Sequence, residues 1–289
     1  MQTRIVTLDS DAWDAPGCEA SWIDAVEDGK VLYFPRLSFV LTSQEQALLG
    51  PGLLRQGVRN ISLDPGGQLK GATGQEQVQV ATMALMERFA EQSTRLVNTL
   101  FPKYREHLQP APTSLRPVGV SSRKQSWRAD DRRLHVDAFP SRPNRGERIL
   151  RVFSNINAHG QPRVWRIGEP FGDVARRFLP VARRYSPLQA RLLRSLRVTK
   201  SLRSEYDHLM LQLHDLMKFD ARYQAEAPQE TMGFPPGSTW VCFSDQTVHA
   251  AMSGQHLIER TFHLPVSSQY NPQASPLAIL TRLAGHPLI

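Results

Sequence analysis

Strand-like runs at residues 118–121, 134–139, 149–155 and 163–167 precede a helical block at about 173–219, and three further runs follow at 239–243, 248–252 and 257–264. Most of these runs carry β-branched or aromatic residues, and the connections are turn-forming, such as Pro143-Asn144-Arg145-Gly146 and His159-Gly160-Gln161-Pro162. Short antiparallel strands of this kind close into a sandwich or small barrel, with the helical block as an insertion. The expected fold class is α+β, in one domain spanning residues 1–289. Ahead of the strands, Val78, Met83, Leu85, Met86, Phe89, Leu96, Val97 and Leu100 recur at helical spacing within residues 75–108. That helix is expected to back a sheet, with a break at Pro102. Residues 30–34 read as a buried strand, Thr42-Ser43-Gln44-Glu45 as a capping box opening a short helix, and Gly50-Pro51-Gly52 as its stop. Pro110, Pro112 and Pro117 mark a change of architecture.

No apolar run approaches the ~18 residues needed to cross a bilayer. The first residues carry acidic side chains where a signal peptide carries positive charge, so a cytosolic protein is expected. Cys18 and Cys242 are too few for a disulfide framework or a cysteine-based zinc cluster. The net charge of +8 points either to an anionic partner or to a solvated basic surface. No interleaving of aromatic and basic residues suggests a base-stacking platform, so a nucleic-acid partner is not expected.

His135-Val136-Asp137 places an imidazole and a carboxylate at alternate positions of a strand, so both point to one face. A histidine from elsewhere would complete a facial triad that holds Fe(II) and leaves coordination positions open. Among the candidates, His208 and His214 lie in a predicted helix among Leu209, Met210, Leu211 and Leu213, where packing or surface roles are expected, and His159 lies in a turn. His249 starts a short strand with small neighbours, Ala250 and Ala251, that leave room for a metal. Arg260 follows on the next strand and could grip a carboxylate in bidentate fashion.

The ordered set His135, Asp137, His249 and Arg260 resembles the Fe(II)/2-oxoglutarate-dependent dioxygenases, whose core is a double-stranded β-helix of the jelly-roll or cupin type. The longer pattern is more specific. Residues 132–143, 148–157 and 162–171, together with 28–35 and 245–251, look like the 3-deoxy-D-manno-oct-2-ulosonic acid (Kdo) hydroxylases over nearly the whole chain. The resemblance implies iron ligation by His135, Asp137 and His249. It also implies 2-oxoglutarate chelating the iron with its distal carboxylate on Arg260, and O2 as the second co-substrate. The separation of Asp137 from His249 is long for the superfamily and requires the helical block to be an insertion.

The implied reaction is hydroxylation at C3 of Kdo in the lipid A–Kdo inner core of lipopolysaccharide, giving the 3-hydroxylated sugar Ko. Kdo carries a carboxylate and lipid A carries phosphates, which suits an arginine-rich mouth. Asn155 is a candidate contact for 2-oxoglutarate or sugar, and Arg128, Arg163 and Arg166 are candidate contacts for the acidic sugar. The stretch from Arg176 to Arg203 has nine Lys/Arg residues and no Asp or Glu, interleaved with leucines. It reads either as a peripheral contact with anionic membrane or as a basic helical face over the barrel. Two other readings remain open: the same chemistry on another acidic substrate, and a non-catalytic basic binding module.

Overall fold

The structure is a computed structural model that describes residues 3–14, 17–50, 52–120 and 125–289. Its strands are β1 (Ile5–Thr7), β2 (Val31–Phe34), β3 (Ile61–Leu63), β4 (Leu69–Lys70), β5 (Gln109–Arg116), β6 (Arg148–Asn155), β7 (Arg163–Gly168), β8 (Gln229–Phe234), β9 (Thr239–Phe243), β10 (His249–Ser253) and β11 (Leu257–Leu264). Its α-helices are α1 (Ala20–Glu27), α2 (Ser43–Leu48), α3 (Glu76–Leu100), α4 (Phe171–Phe178), α5 (Pro187–Ser195), α6 (Glu205–Phe219), α7 (Ala221–Glu226) and α8 (Pro276–Ala284).

A major sheet in the order β1-β2-β9-β6-β11-β5-β3-β4 faces a minor sheet in the order β10-β7-β8. Residues 134–137 extend the minor sheet, since His135 and His249 exchange backbone bonds of 3.0 and 2.9 Å. This is the expected double-stranded β-helix. Alternation along β6, β9 and β11 sends Phe153, Trp240, Cys242 and Leu257 inward, where they meet Trp165, Ile167 and Phe234 of the minor sheet. The opposite face of the major sheet, with Leu150, Val152, Val241, Phe243, Ile258 and Phe262, packs on Leu85, Met86, Phe89 and Leu96 of α3. The long helix is therefore the backing element its periodicity predicts.

The insertion lies between β7 and β8 and comprises α4 to α7. Its apolar side, including Val174, Phe178, Leu209, Met210 and Leu213, covers Leu134, Val136, Val248 and Ala250 on the outer face of the minor sheet. The insertion also grips the loop that leaves Asp137. Asp207 accepts the backbone N–H groups of Asn144 and Arg145 at 3.0 and 2.9 Å, and Arg203 donates to the Pro140 carbonyl at 2.8 Å. Thr42 and Glu45 form the expected reciprocal capping box on α2.

Several sequence expectations change. Residues 134–139 join the sheet by a single bridge at His135, and the next backbone group on the same edge, Asp137 N–H, donates to Ser244 O at 2.8 Å in the turn before β10. Val118 and Gly119 lie in loop conformation and Val120 in a 3-10 turn, and Ser121 is outside the described residues, as is Pro51 of the Gly-Pro-Gly stop. The proline-marked stretch instead holds β5. Pro110 and Pro112 fit there because β3 bonds only Thr113 to Leu115, and the pairing with β11 shifts register beside these prolines.

Candidate active site

The inward faces of β5, β6, β7, β10 and β11 enclose one end of a cavity of about 660 Å³, and α6 of the insertion closes its side with Leu211, Gln212, His214, Asp215 and Lys218. His135, Asp137 and His249 stand together in its wall. One potential ligand atom from each lies within 4.8 Å of the others. The geometry of each imidazole is set by the backbone: His135 Nδ1 is 2.7 Å from Arg133 O and His249 Nδ1 is 2.8 Å from Thr247 O. A carbonyl only accepts, so Nδ1 carries the proton in both rings and Nε2 is left with its lone pair. Trp165 stacks on His249 with ring centroids 5.0 Å apart, which fixes the second ring further.

The electrostatics suit a cation. Burial, followed by the charges of His249 and Lys218, pushes His135 well below the ordinary histidine range, and burial also lowers His249. Burial alone would raise Asp137, but the Arg151 guanidinium is the largest of the opposing influences, which together hold the carboxyl well below the usual carboxylate range. Two neutral imidazoles and one carboxylate are the ligand state that a divalent metal requires. This donor set, with hard oxygen and borderline nitrogen on one face, fits Fe(II).

Three buried or half-buried arginines project into the cavity from three strands: Arg116 of β5, Arg151 of β6 and Arg163 of β7. Arg116 pairs with Glu259 at 2.8 Å, and Arg151 reaches Asp137 at 3.1 Å and Glu259 at 3.8 Å. Glu259 is buried, which opposes its ionisation, yet these two guanidinium groups keep its pKa below the ordinary value. Arg163 donates to Gly254 O at 3.1 Å and lies 5% exposed.

Arg260 is not among them. In the unbroken pairing of β11 with β6, Arg260 lies opposite Val152, and both face α3, whereas Glu259 faces the cavity. The Arg260 guanidinium donates to Thr113 Oγ1 at 2.9 Å, and burial lowers its pKa to about 10. The expected 2-oxoglutarate anchor is thus on the wrong face of the sheet. Asn155 is also committed elsewhere: its amide donates to Gln161 O and Phe234 O, and its oxygen accepts from Asn157 N–H. Arg166 faces outward from β7 and ties Arg132 O, Gln224 O and the Met252 sulfur together. Of the three arginines expected to meet the sugar, Arg163 lies in the cavity and Arg128 at its mouth, paired with Asp215 at 3.0 Å.

His214, expected to pack or face solvent, instead lines the cavity with its ring 5.5 Å from that of His135 and its Nδ1 3.0 Å from Asp215. Arg151 shares a strand face with Phe153 by alternation, and that face lines the cavity. Arg116 was hidden by the prolines that precede it.

The sequence profile of the 3-deoxy-D-manno-oct-2-ulosonic acid (Kdo) hydroxylase family matches residues 10–287. Three crystal structures of a Kdo hydroxylase are each 44% identical to this chain and cover 99% of it. The complex with 2-oxoglutarate and Fe(III) superposes with a TM-score of 0.93 over 97% of its own chain, that with cobalt(II) with 0.95 over 98%, and that with succinate and Fe(III) with 0.94 over 98%. No curated protein sequence matches. With the facial triad, the β-helix and a family match over almost its entire length, this chain belongs to the Kdo hydroxylases and is a non-heme Fe(II)/2-oxoglutarate-dependent dioxygenase.

Proposed function

We propose that the chain hydroxylates C3 of Kdo carried on a lipid A precursor, giving Ko, and that it does so at the cytoplasmic face of the inner membrane. The observation that carries this reading is the placement of the His135–Asp137–His249 triad in the wall of a cavity whose other charged groups are mostly cationic. A deoxy carbon offers no leaving group, so hydroxylation there needs an oxidant. Fe(II) at the triad, with 2-oxoglutarate and O2, supplies it. His135, Asp137 and His249 hold the metal from one side and leave the cavity side open. Arg116, Arg151 and Arg163 replace Arg260 as partners for the two carboxylates of 2-oxoglutarate, since they are the arginines on the strands that line the cavity. Trp165 walls the same end and keeps water from it.

At the other end, Arg128, Arg203 and Lys218 line the side formed with the insertion, and there they are placed to receive an acidic sugar. The basic segment from Arg176 to Arg203 supports a peripheral contact with anionic membrane as part of the same reading. No helix among the described residues is long and apolar enough to cross a membrane.

The test is succinate formation from 2-oxoglutarate with Kdo–lipid A as acceptor, together with mass analysis of the sugar. One oxygen gained on Kdo, dependent on Fe(II) and lost in His135→Ala, is the expected result. An unchanged sugar despite acceptor-stimulated turnover would assign the chemistry to a different acidic substrate.

A further inference from the structure

α5 lies on the protein with little of itself buried. Ala190 is its one buried residue, and Ser186 and Pro187 start it as N-cap and first helical position. Leu188, Leu192 and Leu196, four residues apart, form a single stripe that is 75%, 57% and 64% exposed. Val181 and Val198 extend the apolar surface on either side at 64% and 53%. A stripe of this kind on an otherwise solvated helix marks a binding face, because water would otherwise cover several large apolar side chains at once.

The charge around the stripe decides what covers it. Arg183, Arg184, Arg191, Arg194, Arg197 and Lys200 are all exposed, and no Asp or Glu occurs between Arg176 and Arg203. Among the described residues, ion pairs in this stretch are made only by Arg176 with Asp173 and Arg177 with Glu169. A second copy of the chain would bring a matching set of cations against this one and be repelled. An anionic lipid surface offers both what the leucines and what the arginines need.

The face is connected to the active site. Arg197, with φ +56°, turns the chain back after α5, Thr199 is buried, and Lys200 N–H donates to Ser141 O at 2.9 Å. Ser141 belongs to the loop that leaves Asp137, and Phe139 and Pro140 of that loop line the cavity together with Arg203. We infer that α5 and its flanks, residues 181–200, are an interfacial docking surface for an anionic bilayer that sets the cavity mouth at headgroup level. The benefit of that position rests on the lipid-linked acceptor proposed above; the binding surface itself does not.

The experiment is co-sedimentation of the full-length, metal-loaded protein with vesicles of phosphatidylcholine alone and of phosphatidylcholine mixed with phosphatidylglycerol. Binding only to the anionic vesicles is expected. Leu188→Asp/Leu192→Asp and, separately, Arg191→Glu/Arg194→Glu should each weaken it by at least about tenfold. Both pairs should leave 2-oxoglutarate turnover on detergent-dispersed acceptor within about twofold of the parent, since they lie outside the active site. Equal binding to both vesicle types, unaltered binding by the leucine variant, or a concentration-dependent dimer that the leucine variant dissolves would each overturn the inference. Absence of Kdo oxidation with lipid binding intact would count against the proposed acceptor and leave the docking surface standing.

Discussion

Arg151 of β6 and Asp137 of the opposite wall meet inside the barrel, Nη2 to Oδ2 at 3.1 Å. The carboxylate is thereby oriented by a side chain as well as by its own backbone bond to Ser244. Partners that orient a ligand typically contribute 10–100-fold to metal affinity or activity. Arg151→Gln should therefore weaken cobalt(II) binding by about tenfold, within that range, as read by titration of metal-dependent absorbance. An unchanged affinity would mean that the backbone alone places Asp137.

The arginines proposed to hold 2-oxoglutarate can be separated from Arg260 by kinetics. Arg116→Gln and Arg163→Gln should each raise the 2-oxoglutarate concentration needed for half-maximal turnover by roughly tenfold or more, the effect of removing a charge-assisted carboxylate contact. Arg260→Met should leave that concentration within about twofold, because its side chain lies across the sheet from the cavity. A large rise in Arg260→Met with none in the other two would restore the original anchor.

Arg260→Met also carries a stability prediction. Arg260 is buried, its Nε has no hydrogen-bond partner, and no carboxylate pairs with it among the described residues. A methionine of similar length keeps the packing against Phe262 while removing a poorly compensated charge, and such exchanges are commonly neutral to stabilising by about 1–4 kcal/mol. Thermal unfolding should show an equal or higher Tm. A drop of several degrees would reveal a partner for the guanidinium that the fold makes essential.

Metal should stabilise the fold through the triad. At a hundredfold excess over its Kd, a ligand that binds only the native state adds about 2.7 kcal/mol. For a chain of this size that corresponds to a Tm rise of roughly 4–5 °C. Cobalt(II) should produce this shift in the parent protein and none in His135→Ala, and a chelator should reverse it. An equal shift in both would place the metal elsewhere.

Gly168 controls the site from outside it. Its neighbour Ile167 pairs with His249, and a Cβ on Gly168 would stand 2.5 Å from Val248 Cγ1. Gly168→Ala should cost about 1–3 kcal/mol through overpacking and should lower metal affinity by displacing the strand that carries His249. Unchanged Tm together with unchanged affinity would show that Val248 turns away freely.

The triad was legible because its geometry is local. His135 and Asp137 share a face by alternation, and His249 was singled out by the small residues beside it. Arg260 failed for a related reason. Spacing along the chain placed it correctly on the next strand, but the turn at Gly254 and His256, both with positive φ, fixes which residues of β11 point inward. They are Leu257 and Glu259. The cavity wall from α6 could not be read from periodicity, since a helix that buries Leu209, Met210 and Leu213 against the barrel shows the same pattern whether or not His214 and Lys218 look into a site. β5 was masked by its prolines, whose tolerance depends on a short neighbouring strand that only the tertiary fold reveals.

The insertion between β7 and β8 divides the labour of the enzyme along the chain. The arginines proposed to hold the co-substrate sit on strands, whereas the insertion supplies the leucine stripe and, through Leu211, Gln212, His214, Asp215 and Lys218, one wall of the cavity. On the proposed function, acceptor choice would respond to changes in the cavity-facing residues of α6 and in Arg128 and Arg203, none of which lies on a strand. Simple excision of the insertion is not such a change. It would uncover Leu134, Val136, Val248 and Ala250, the outward neighbours of His135, Asp137 and His249, so the insertion is also the roof that keeps water from the back of the triad.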